Sequence, residues 1–588
     1  MALRSRPGVI VVAVAAVIFV GCAVSPPSLL DDVDAANAQV ARNMLESGDW
    51  VTVRLNGVAD PEKPPLHAWL MAVSFSVFGV HDWAARIPLA LASIALCWLT
   101  ARFGAWAFGF PAGFYAGLCL ATCVGLFLFT RILIADAMLT LAVTAALWSF
   151  LRALDEEEPR PRVWAWLMAA SMAIGFLLKG LVAFLLPLGA ALVYLLCTRQ
   201  IFSRRAWRRM HPLSGLLIVA LIAAPWPVLA SLRNPPYLDF TLRSEPGRYH
   251  GFFWLFFINE HLLRFLNLRY PRDYDTVPRL YFWLLQFAWL FPWSVFLPAA
   301  ARLDYRPADR AGRARLLALC WAGFLLVFFS FSTTQEYYSM PCYPALALLI
   351  GSSLAGGGLW VRLGARMIPI LAGVAAMACA VLLILTRNTP TPGDISSALT
   401  QNPDAYRLSL GHMADLTVRC FAYLRLPLAV AAFGFAAGAL AAWYLRGRRA
   451  LVAVAAMMMV FCHAARLALV AFDPYLSSRP LAEALLRAPE GGLIVDEEYY
   501  AFSSVFFYAN RRALLLNGRV NDLEYGSCAP DAPRVFIDDQ ELGQLWSGRS
   551  RWFLVAREAA LPHLRRAVGS GSFRIVARSG GKLLLVNQ

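Results

Sequence analysis

Long apolar stretches alternate with short polar ones along the first 471 residues, and a different pattern follows. The apolar runs are about 17–25 residues long, which is the length that a helix needs to cross a bilayer. They predict thirteen membrane spans, at about 9–24, 82–101, 112–130, 137–152, 163–178, 181–197, 213–232, 281–300, 316–331, 343–360, 367–386, 425–445 and 450–471. The chain is therefore expected to be a polytopic α-helical membrane protein.

The first apolar run admits two interpretations. It follows a basic N-terminus and ends in Gly21-Cys22, so it resembles a cleaved secretory or lipoprotein signal. Phe19, three residues before Cys22, fits a lipoprotein cleavage site poorly, and we favour an uncleaved first span. With either interpretation, the loop that follows, 25–81, lies outside the cytoplasm.

Residues 472–588 lack long apolar runs and predict a small α/β domain of 117 residues, after a membrane domain that covers 1–471. Short β-like runs alternate there with polar stretches compatible with helix. The predicted strands are Leu493–Asp496, Leu514–Asn517, Val535–Asp538, Trp552–Ala556, Phe573–Ala577 and Leu583–Val586.

Composition and charge support this division. Hydrophobic residues make up 59% and charged residues 15% of the chain, which excludes a set of soluble domains. The net charge of +16 suggests nucleic-acid binding until its distribution is considered, because the arginines concentrate in alternate loops. Such loops face the cytoplasm. With the N-terminus inside, thirteen spans place the C-terminal domain outside, together with the connectors 25–81, 131–136, 179–180, 233–280, 332–342 and 387–424.

The residues that could carry chemistry collect in these outside connectors. The first loop holds three acids, Asp31, Asp32 and Asp34, and later Glu62-Lys63. It is longer and richer in functional groups than a tether between two spans needs to be, as is typical of loops that carry function.

Two ionisable residues, Arg131 and Asp136, bracket a short apolar turn at the membrane boundary. Charges at such depth are costly and therefore suggest function. The alternative is that the two side chains pair with each other or cap helix ends.

The connectors 233–280 and 332–342 add further candidates. Glu260 and Arg264 are spaced as partners on one helix, with His261 beside them, which predicts an anion or metal site or a structural salt bridge. Tyr338 could donate a hydrogen bond at the same face, or could serve only as an interfacial anchor.

Cations on an outer membrane face suit the phosphate of a lipid, and neighbouring carboxylates suit a general base. The residues alone therefore suggest transfer of a group from a lipid phosphate carrier to an acceptor hydroxyl or phosphate.

Several blocks of the sequence resemble the bacterial aminoarabinose transferase group, which are GT-C fold glycosyltransferases related to the protein O-mannosyltransferases. The blocks are Ala41-Arg42-Asn43-Met44-Leu45, Gly48-Asp49-Trp50-Val51-Thr52, Arg54-Leu55-Asn56-Gly57, Glu62-Lys63-Pro64-Pro65-Leu66, Ala85-Arg86-Ile87-Pro88, Glu260-His261 with Arg264-Phe265, and Tyr338 to Pro341.

The resemblance implies a GT-C fold with a small periplasmic α/β domain. It also implies a bacterial inner-membrane enzyme that takes a sugar from undecaprenyl phosphate on the periplasmic face and passes it to lipid A or another acceptor. The predicted catalytic aspartates are Asp32 or Asp34, with Asp136. The residues predicted to reach the carrier phosphate are Lys63, Arg131, Arg264 and Tyr338, of which Arg131 rests only on its position. Glu62 with His261 matches a divalent metal site, for Zn²⁺ or Mg²⁺.

Two departures from the family pattern are visible. Asp31-Asp32-Val33-Asp34 leaves open which acid is catalytic, and Thr334-Gln335-Glu336 stands where the family commonly has a lysine, which suggests a changed donor or acceptor.

Three other functions remain as alternatives to a lipid A transferase. One is a protein or exopolysaccharide glycosyltransferase with the same class of donor. Another is a transporter, although charges inside the predicted spans are rare apart from His463 and Arg466. The third is a membrane-anchored binding protein whose C-terminal domain does the work.

Overall fold

The computed structural model describes residues 6–60, 62–243, 245–271, 277–332, 334–400, 415–569 and 573–587. Within these ranges eight helices are long and apolar enough to cross a membrane, and two bent helix pairs raise that number to ten. The eight helices are Asp82–Phe108, Asp136–Leu154, Pro161–Lys179, Arg310–Ser330, Glu336–Gly356, Leu359–Thr386, Arg425–Tyr444 and Arg448–Leu476. The chain is a multi-pass membrane protein.

Three further predicted spans correspond to shorter apolar helices. These are Arg6–Val24, Phe110–Thr122 and Val182–Cys197, with 19, 13 and 16 residues. The apolar part of the first helix is Gly8–Val24, so all three are shorter than the ~20 residues that usually span a bilayer, and the total of thirteen spans stays a prediction.

Three predicted spans are broken where the sequence pattern suggested continuity. Phe110–Thr122 and Val124–Phe129 are separated at Cys123. Arg204–Ala223 and Pro225–Arg233 form a pair bent by 42°, and Arg279–Trp289 meets Trp293–Ala300 at 100°. A proline stands at each of the two bends, where its missing N–H and its ring interrupt the helical hydrogen bonds.

The remaining elements are short. The α-helices among them are Val33–Ser47, Leu66–Phe78, Arg204–Met210, Gly251–Phe253, Arg479–Arg487, Ser503–Ala509, Asp522–Ser527, Asp539–Ser547 and Leu561–Val568. A π-helix covers Trp254–Leu263. The 3₁₀ turns are Trp293–Phe296, Glu336–Cys342, Ile395–Ala398, Val418–Ala422, Tyr499–Phe502 and Glu558–Ala560.

All six strands predicted near the C-terminus are present in one sheet. After a small hairpin in the first loop, β1 (Arg54–Leu55) and β2 (Val58–Ala59), the sheet strands are β3 (Gly492–Asp496), β4 (Leu514–Leu516), β5 (Phe536–Ile537), β6 (Trp552–Arg557), β7 (Arg574–Ser579) and β8 (Lys582–Val586). Their order is β5-β4-β3-β6-β8-β7. The first four of these are parallel, while β8 runs antiparallel to β6 and β7.

The first loop lies between the membrane helices and this sheet domain. Its helix, Val33–Ser47, packs against Ser503–Ala509 of the domain. Arg42 donates from Nη1 to the carbonyl of Phe507 at 2.9 Å, and Asn56 exchanges two hydrogen bonds with the backbone of Ala513, at 2.8 and 3.1 Å. The sheet domain therefore holds the candidate catalytic loop through these contacts.

The two polar residues of the last span bind to the end of the first helix. Arg466 donates to the carbonyl and hydroxyl oxygens of Ser25 at 2.7 and 3.1 Å, and His463 Nδ1 lies 3.8 Å from Cys22 Sγ. Their contacts join two spans, which gives them a structural role.

Candidate active site

A row of alternating charges begins at the Glu62-Lys63 pair of the first loop. Lys63 Nζ lies 2.7 Å from Glu62 Oε1, and Glu62 Oε2 accepts from Arg269 Nη2 at 2.7 Å. Glu62 is 7% exposed and Arg269 is 3% exposed, whereas Lys63 is 45% exposed. The buried pair of Glu62 and Arg269 therefore holds Lys63, whose side chain is still exposed to solvent.

The row continues through the π-helix. Glu260 accepts from Arg269 Nε at 2.5 Å on one oxygen and from Arg264 Nη1 at 2.8 Å on the other. Arg264 Nη2 then donates to the hydroxyl of Tyr338 at 3.1 Å. We call the six residues Lys63, Glu62, Arg269, Glu260, Arg264 and Tyr338 the ionic chain. It brings together three of the predicted phosphate-binding residues from three distant parts of the sequence.

Arg269 was not predicted from the sequence, although it is central to the ionic chain. It is nine residues from Glu260 and 207 from Glu62, so no helical spacing points to it. Its role depends on the turn that follows the π-helix, which sequence patterns do not specify.

A second ion pair lies beside the ionic chain. Lys179 Nζ is 2.5 Å from Asp136 Oδ1 and sits over the rings of Tyr337 and Tyr338, at 5.0 and 4.8 Å from their centroids. Asp136, the second predicted aspartate, is 3% exposed and Lys179 is 28% exposed. A cation over an aromatic ring is attracted by the negative face of the ring. Lys179 thus joins Asp136 to the tyrosine of the ionic chain.

Composition contained a signal for Lys179. Only three of the 53 basic residues are lysines, namely Lys63, Lys179 and Lys582. All three make ion pairs, with Glu62, Asp136 and Asp31. In a chain that uses arginine almost everywhere else, a lysine indicates a position that suits a compact ammonium ion rather than a planar guanidinium.

The two candidate acids of the first loop have different environments. Asp34 is 1% exposed and accepts from Arg86 Nη2 at 2.8 Å. Its oxygens also accept from the backbone N–H of Leu30 at 3.0 Å and of Leu133 at 2.8 Å. These bonds tie the first loop to the connector 131–136, and they make Asp34 a structural residue in this conformation.

Asp32 is exposed. It precedes the helix Val33–Ser47 with φ 74° and ψ −142°, and its side chain does not cap that helix. Such a backbone conformation is unfavourable for a residue with a side chain, and it persists where surrounding contacts impose it. The Asp32 N–H donates to the carbonyl of Tyr500 at 2.7 Å.

The neighbouring Asp31 fixes this strained turn to the sheet domain. Its carboxylate accepts from Lys582 Nζ at 2.6 Å, from Ser478 Oγ at 2.7 Å, and from both the N–H and the hydroxyl of Ser504, at 3.0 and 2.7 Å. Asp31 and Lys582 are 11% and 12% exposed. The three clustered acids therefore differ in exposure, because Asp31 and Asp34 are largely buried whereas Asp32 is exposed.

Arg131 lies apart from the ionic chain. Its guanidinium contacts the carbonyl of Phe127 at 3.3 Å and the hydroxyl of Thr130 at 3.4 Å, and Arg86 donates to its backbone carbonyl at 2.5 Å. Asp136 pairs with Lys179 and not with Arg131. Binding of the carrier phosphate by Arg131 stays a prediction.

The predicted metal ligands do not fit a divalent cation in this arrangement. His261 Nδ1 donates to the carbonyl of Phe256 at 2.5 Å, and Nε2 accepts from the N–H of Leu181 at 2.9 Å, so both ring nitrogens are engaged. Burial lowers the pKa of His261, which favours this neutral form. Glu62 is bound between two cations. Within the described ranges no group of three His, Cys, Asp or Glu side chains could hold a metal ion. A metal at this site stays a prediction.

Sequence comparisons find similarity to glycosyltransferases of two descriptions. Residues 62–228 match a family model described as dolichyl-phosphate-mannose-protein mannosyltransferase. Undecaprenyl phosphate-alpha-4-amino-4-deoxy-L-arabinose arabinosyl transferase 1 of Pseudomonas fluorescens (strain Pf0-1) is 28% identical over 387 residues, which cover 64% of this chain and 61% of that protein. A protein of the same description, without the number, from Pseudomonas aeruginosa (strain LESB58) is 31% identical over 341 residues, 54% of each chain. The chain thus spans between half and two thirds of the length of these relatives.

The fold comparison extends over nearly the whole chain. The crystal structure of ArnT from Cupriavidus metallidurans bound to undecaprenyl phosphate matches with a TM-score of 0.78 and 24% identity, over 99% of this chain and 98% of that one. The apo state of the same protein matches with a TM-score of 0.77 and 23% identity. The predicted GT-C fold and the resemblance to the aminoarabinose transferase group are confirmed.

Proposed function

We propose that this protein is an integral membrane glycosyltransferase that moves a sugar from an undecaprenyl (polyprenyl) phosphate carrier to lipid A or a related acceptor. The observation that carries the proposal is the ionic chain, which presents Lys63, Arg264 and Tyr338 as one preformed group of donors. A sugar phosphate ester needs such donors when its phosphate departs. The relatives' names and the shared fold support the same reaction.

The proposed reaction is a single inverting displacement. The acceptor hydroxyl oxygen bonds to the anomeric carbon of the sugar while the bond from that carbon to the carrier phosphate breaks. The electron pair leaves on the phosphate oxygen, where Lys63, Arg264 and Tyr338 stabilise the negative charge. The hydroxyl proton passes to a carboxylate.

We assign that carboxylate to Asp32. A general base must reach the substrate, and Asp32 is exposed where Asp34 is buried and accepts three hydrogen bonds. Asp136, held by Lys179, lies on the same side and orients the sugar or the acceptor.

The contacts of Asp31 suggest how Asp32 is positioned. Lys582, Ser478 and Ser504 come from the C-terminal part of the chain, and they anchor the residue next to the strained Asp32. We infer that the sheet domain holds the catalytic loop in register, with Lys582 as a positioning residue.

The site is proposed to face the periplasm across the bacterial inner membrane. Helix Asp136–Leu154 begins in the site and ends near the arginine-rich segment 152–162. Arginines near span ends stay in the cytoplasm, so the beginning of this helix lies on the opposite side. The sheet domain packs on the first loop and therefore shares that side.

A second acceptor class has one observation in its favour. The family model that matches residues 62–228 is described as a protein mannosyltransferase. A protein or polysaccharide acceptor with the same donor class is therefore the second candidate.

The test is a lipid analysis of the host, comparing the wild-type protein with Asp32→Asn. Asp531→Asn serves as a matched control, because that carboxylate is 62% exposed in a surface ion pair. We expect a sugar to disappear from lipid A and its carrier-linked form to accumulate in Asp32→Asn alone. Accumulation of the carrier-linked sugar with unchanged lipid A would identify the second acceptor class. No change in either pool would refute the proposed function.

A further inference from the structure

A second basic region lies at the other end of the span Pro161–Lys179. A cavity of about 880 Å³ opens there between the first turn of this helix and the short helix Arg204–Met210. We call it the Arg162 cavity, and it is a depression that is wide open to the surroundings rather than an enclosed pocket. Its lining includes Arg162, Arg204, Arg208, His211, Phe202 and Trp207.

Some arginines of the short helix are bound by the protein itself. Arg205 pairs with Glu156 at 2.8 Å on the surface. Arg209 donates to the backbone carbonyls of Ala153 and Asp155 at 2.8 and 2.6 Å. Neither side chain lines the cavity, and their contacts fix the short helix beside the end of Asp136–Leu154.

The arginines that line the cavity differ from these two. Arg204 and Arg208 are four residues apart and so share one face of the short helix. Arg162 stacks over Trp166 at 4.4 Å, and Trp166 donates from Nε1 to Ser214 at 3.0 Å, which joins the two spans that border the cavity. Among the described residues none of the three forms an ion pair, and the lining contains no Asp or Glu.

The surroundings of the cavity are apolar. Phe202 is 92% exposed, Trp207 is 47% exposed and Leu213 is 84% exposed. Side chains of this kind at the ends of membrane spans contact the boundary between lipid headgroups and acyl chains. A ligand that joins a phosphate to acyl chains would satisfy the arginines and these side chains together.

We propose that the Arg162 cavity binds the headgroup of an anionic phospholipid. Guanidinium groups bind phosphate oxygens with paired N–H donors, and basic pockets between spans are suited to such headgroups. A free phosphate ion shares the charge but leaves Phe202, Trp207 and Leu213 uncovered. Because the site lies among the arginine-rich loops, the lipid comes from the cytoplasmic leaflet. The inference does not depend on the proposed sugar transfer.

The test measures thermal unfolding of the full-length protein in a neutral detergent with added lipid. Phosphatidylglycerol and cardiolipin should raise Tm in a saturable way, whereas phosphatidylcholine and inorganic phosphate should not. The lipid concentration that gives half of the effect should rise about five-fold for each arginine removed. In the triple variant Arg162→Gln/Arg204→Gln/Arg208→Gln, the saturable effect should be lost.

Arg205→Gln is the matched control, because it removes one arginine from the same helix outside the cavity. Its lipid dependence should match that of the wild-type protein. The single variant Arg204→Gln keeps the test decisive if the triple variant does not fold, and native mass spectrometry should show less retained phosphatidylglycerol for it than for Arg205→Gln. Equal lipid dependence of Arg204→Gln and Arg205→Gln would overturn the proposal. Stabilisation by inorganic phosphate alone would overturn the assignment to a lipid.

Discussion

The ionic chain and the Arg162 cavity lie near opposite ends of one membrane helix, and they hold their cations in opposite ways. Arg162 and Lys179 belong to the helix Pro161–Lys179, and a rise of about 1.5 Å per residue separates them by about 25 Å. In the ionic chain carboxylates alternate with cations, and Lys179 pairs with Asp136. In the Arg162 cavity, the described lining contains three arginines and no carboxylate.

This difference suggests two uses of positive charge. Cations held by buried carboxylates keep one geometry before the substrate arrives, which is what stabilisation of a departing phosphate requires. Cations without such partners attract a mobile anion with little demand on its orientation. The first arrangement suits catalysis, and the second suits a lipid that stabilises the protein.

The largest expected effect is loss of the exposed end of the ionic chain. Lys63→Ala should lower the rate of sugar transfer by about 10²–10³-fold, as removal of a preorganised donor does in other enzymes. The measurement is transfer from a polyprenyl-phosphate sugar in proteoliposomes. Arg233→Ala is the control, because Arg233 is 53% exposed and pairs with Asp49 at the surface. Near-normal turnover of Lys63→Ala would contradict the assignment of the phosphate site.

The next effect concerns the buried carboxylate that holds two arginines. Glu260→Gln removes the charge between Arg264 and Arg269, and loss of one partner from a buried ion pair costs about 3–5 kcal/mol. Thermal unfolding in detergent should show a clear decrease in Tm, and Glu260→Gln/Arg269→Gln should recover part of it. Glu156→Gln, in the surface pair with Arg205, should change stability by only about 0.5 kcal/mol. If Glu260→Gln and Glu156→Gln lowered Tm equally, burial would not explain the difference expected between the ionic chain and the surface pair.

A smaller effect is expected from the ion pair between the sheet domain and the first loop. Lys582→Met should lower kcat on the order of ten-fold with little change in KM, because Asp32 loses its orientation while the donor site remains. Lys582→Arg should restore much of the activity, since it keeps the charge beside Asp31. A parallel loss of Tm and activity, without rescue by arginine, would indicate a merely structural contact.

The smallest effect on catalysis should come from the Arg162 cavity. In neutral detergent, Arg162→Gln/Arg204→Gln/Arg208→Gln should retain turnover within about two-fold, because catalytic donors act only where charge develops. The same transfer assay measures it. A loss comparable to that of Lys63→Ala would show that the two regions are functionally coupled along the helix between them.

Much of the architecture could be predicted because it follows from local patterns. The length of the apolar runs predicts most of the spans. The short β-like runs, which alternate with polar stretches, predict the six strands. The breaks at Cys123 and near Pro292 were missed because the apolar run continues across them, and hydropathy does not register a bend. The helix Val33–Ser47 was also not predicted within the first loop.

The sequence proposed residues for the site, but it indicated only some of the contacts that join them. Glu260 and Arg264 were predicted from their spacing of one helical turn, and Glu62 and Lys63 from the resemblance to the aminoarabinose transferase group. Arg269 and Lys179 were missed as site residues, since their partners are far away in sequence.

By itself, the sequence determined the membrane class and the strands of the C-terminal sheet. The tertiary structure decided which acid of the first loop faces outward. The sequence alone does not distinguish Asp31, Asp32 and Asp34, because they are the same residue type within four positions. In the folded chain, Lys582 binds Asp31 from 551 residues away, and Arg86 binds Asp34 from 52 residues away. Hydrogen bonds and ion pairs act through space over a few ångströms, so only the folded chain distinguishes a buried carboxylate from an exposed one.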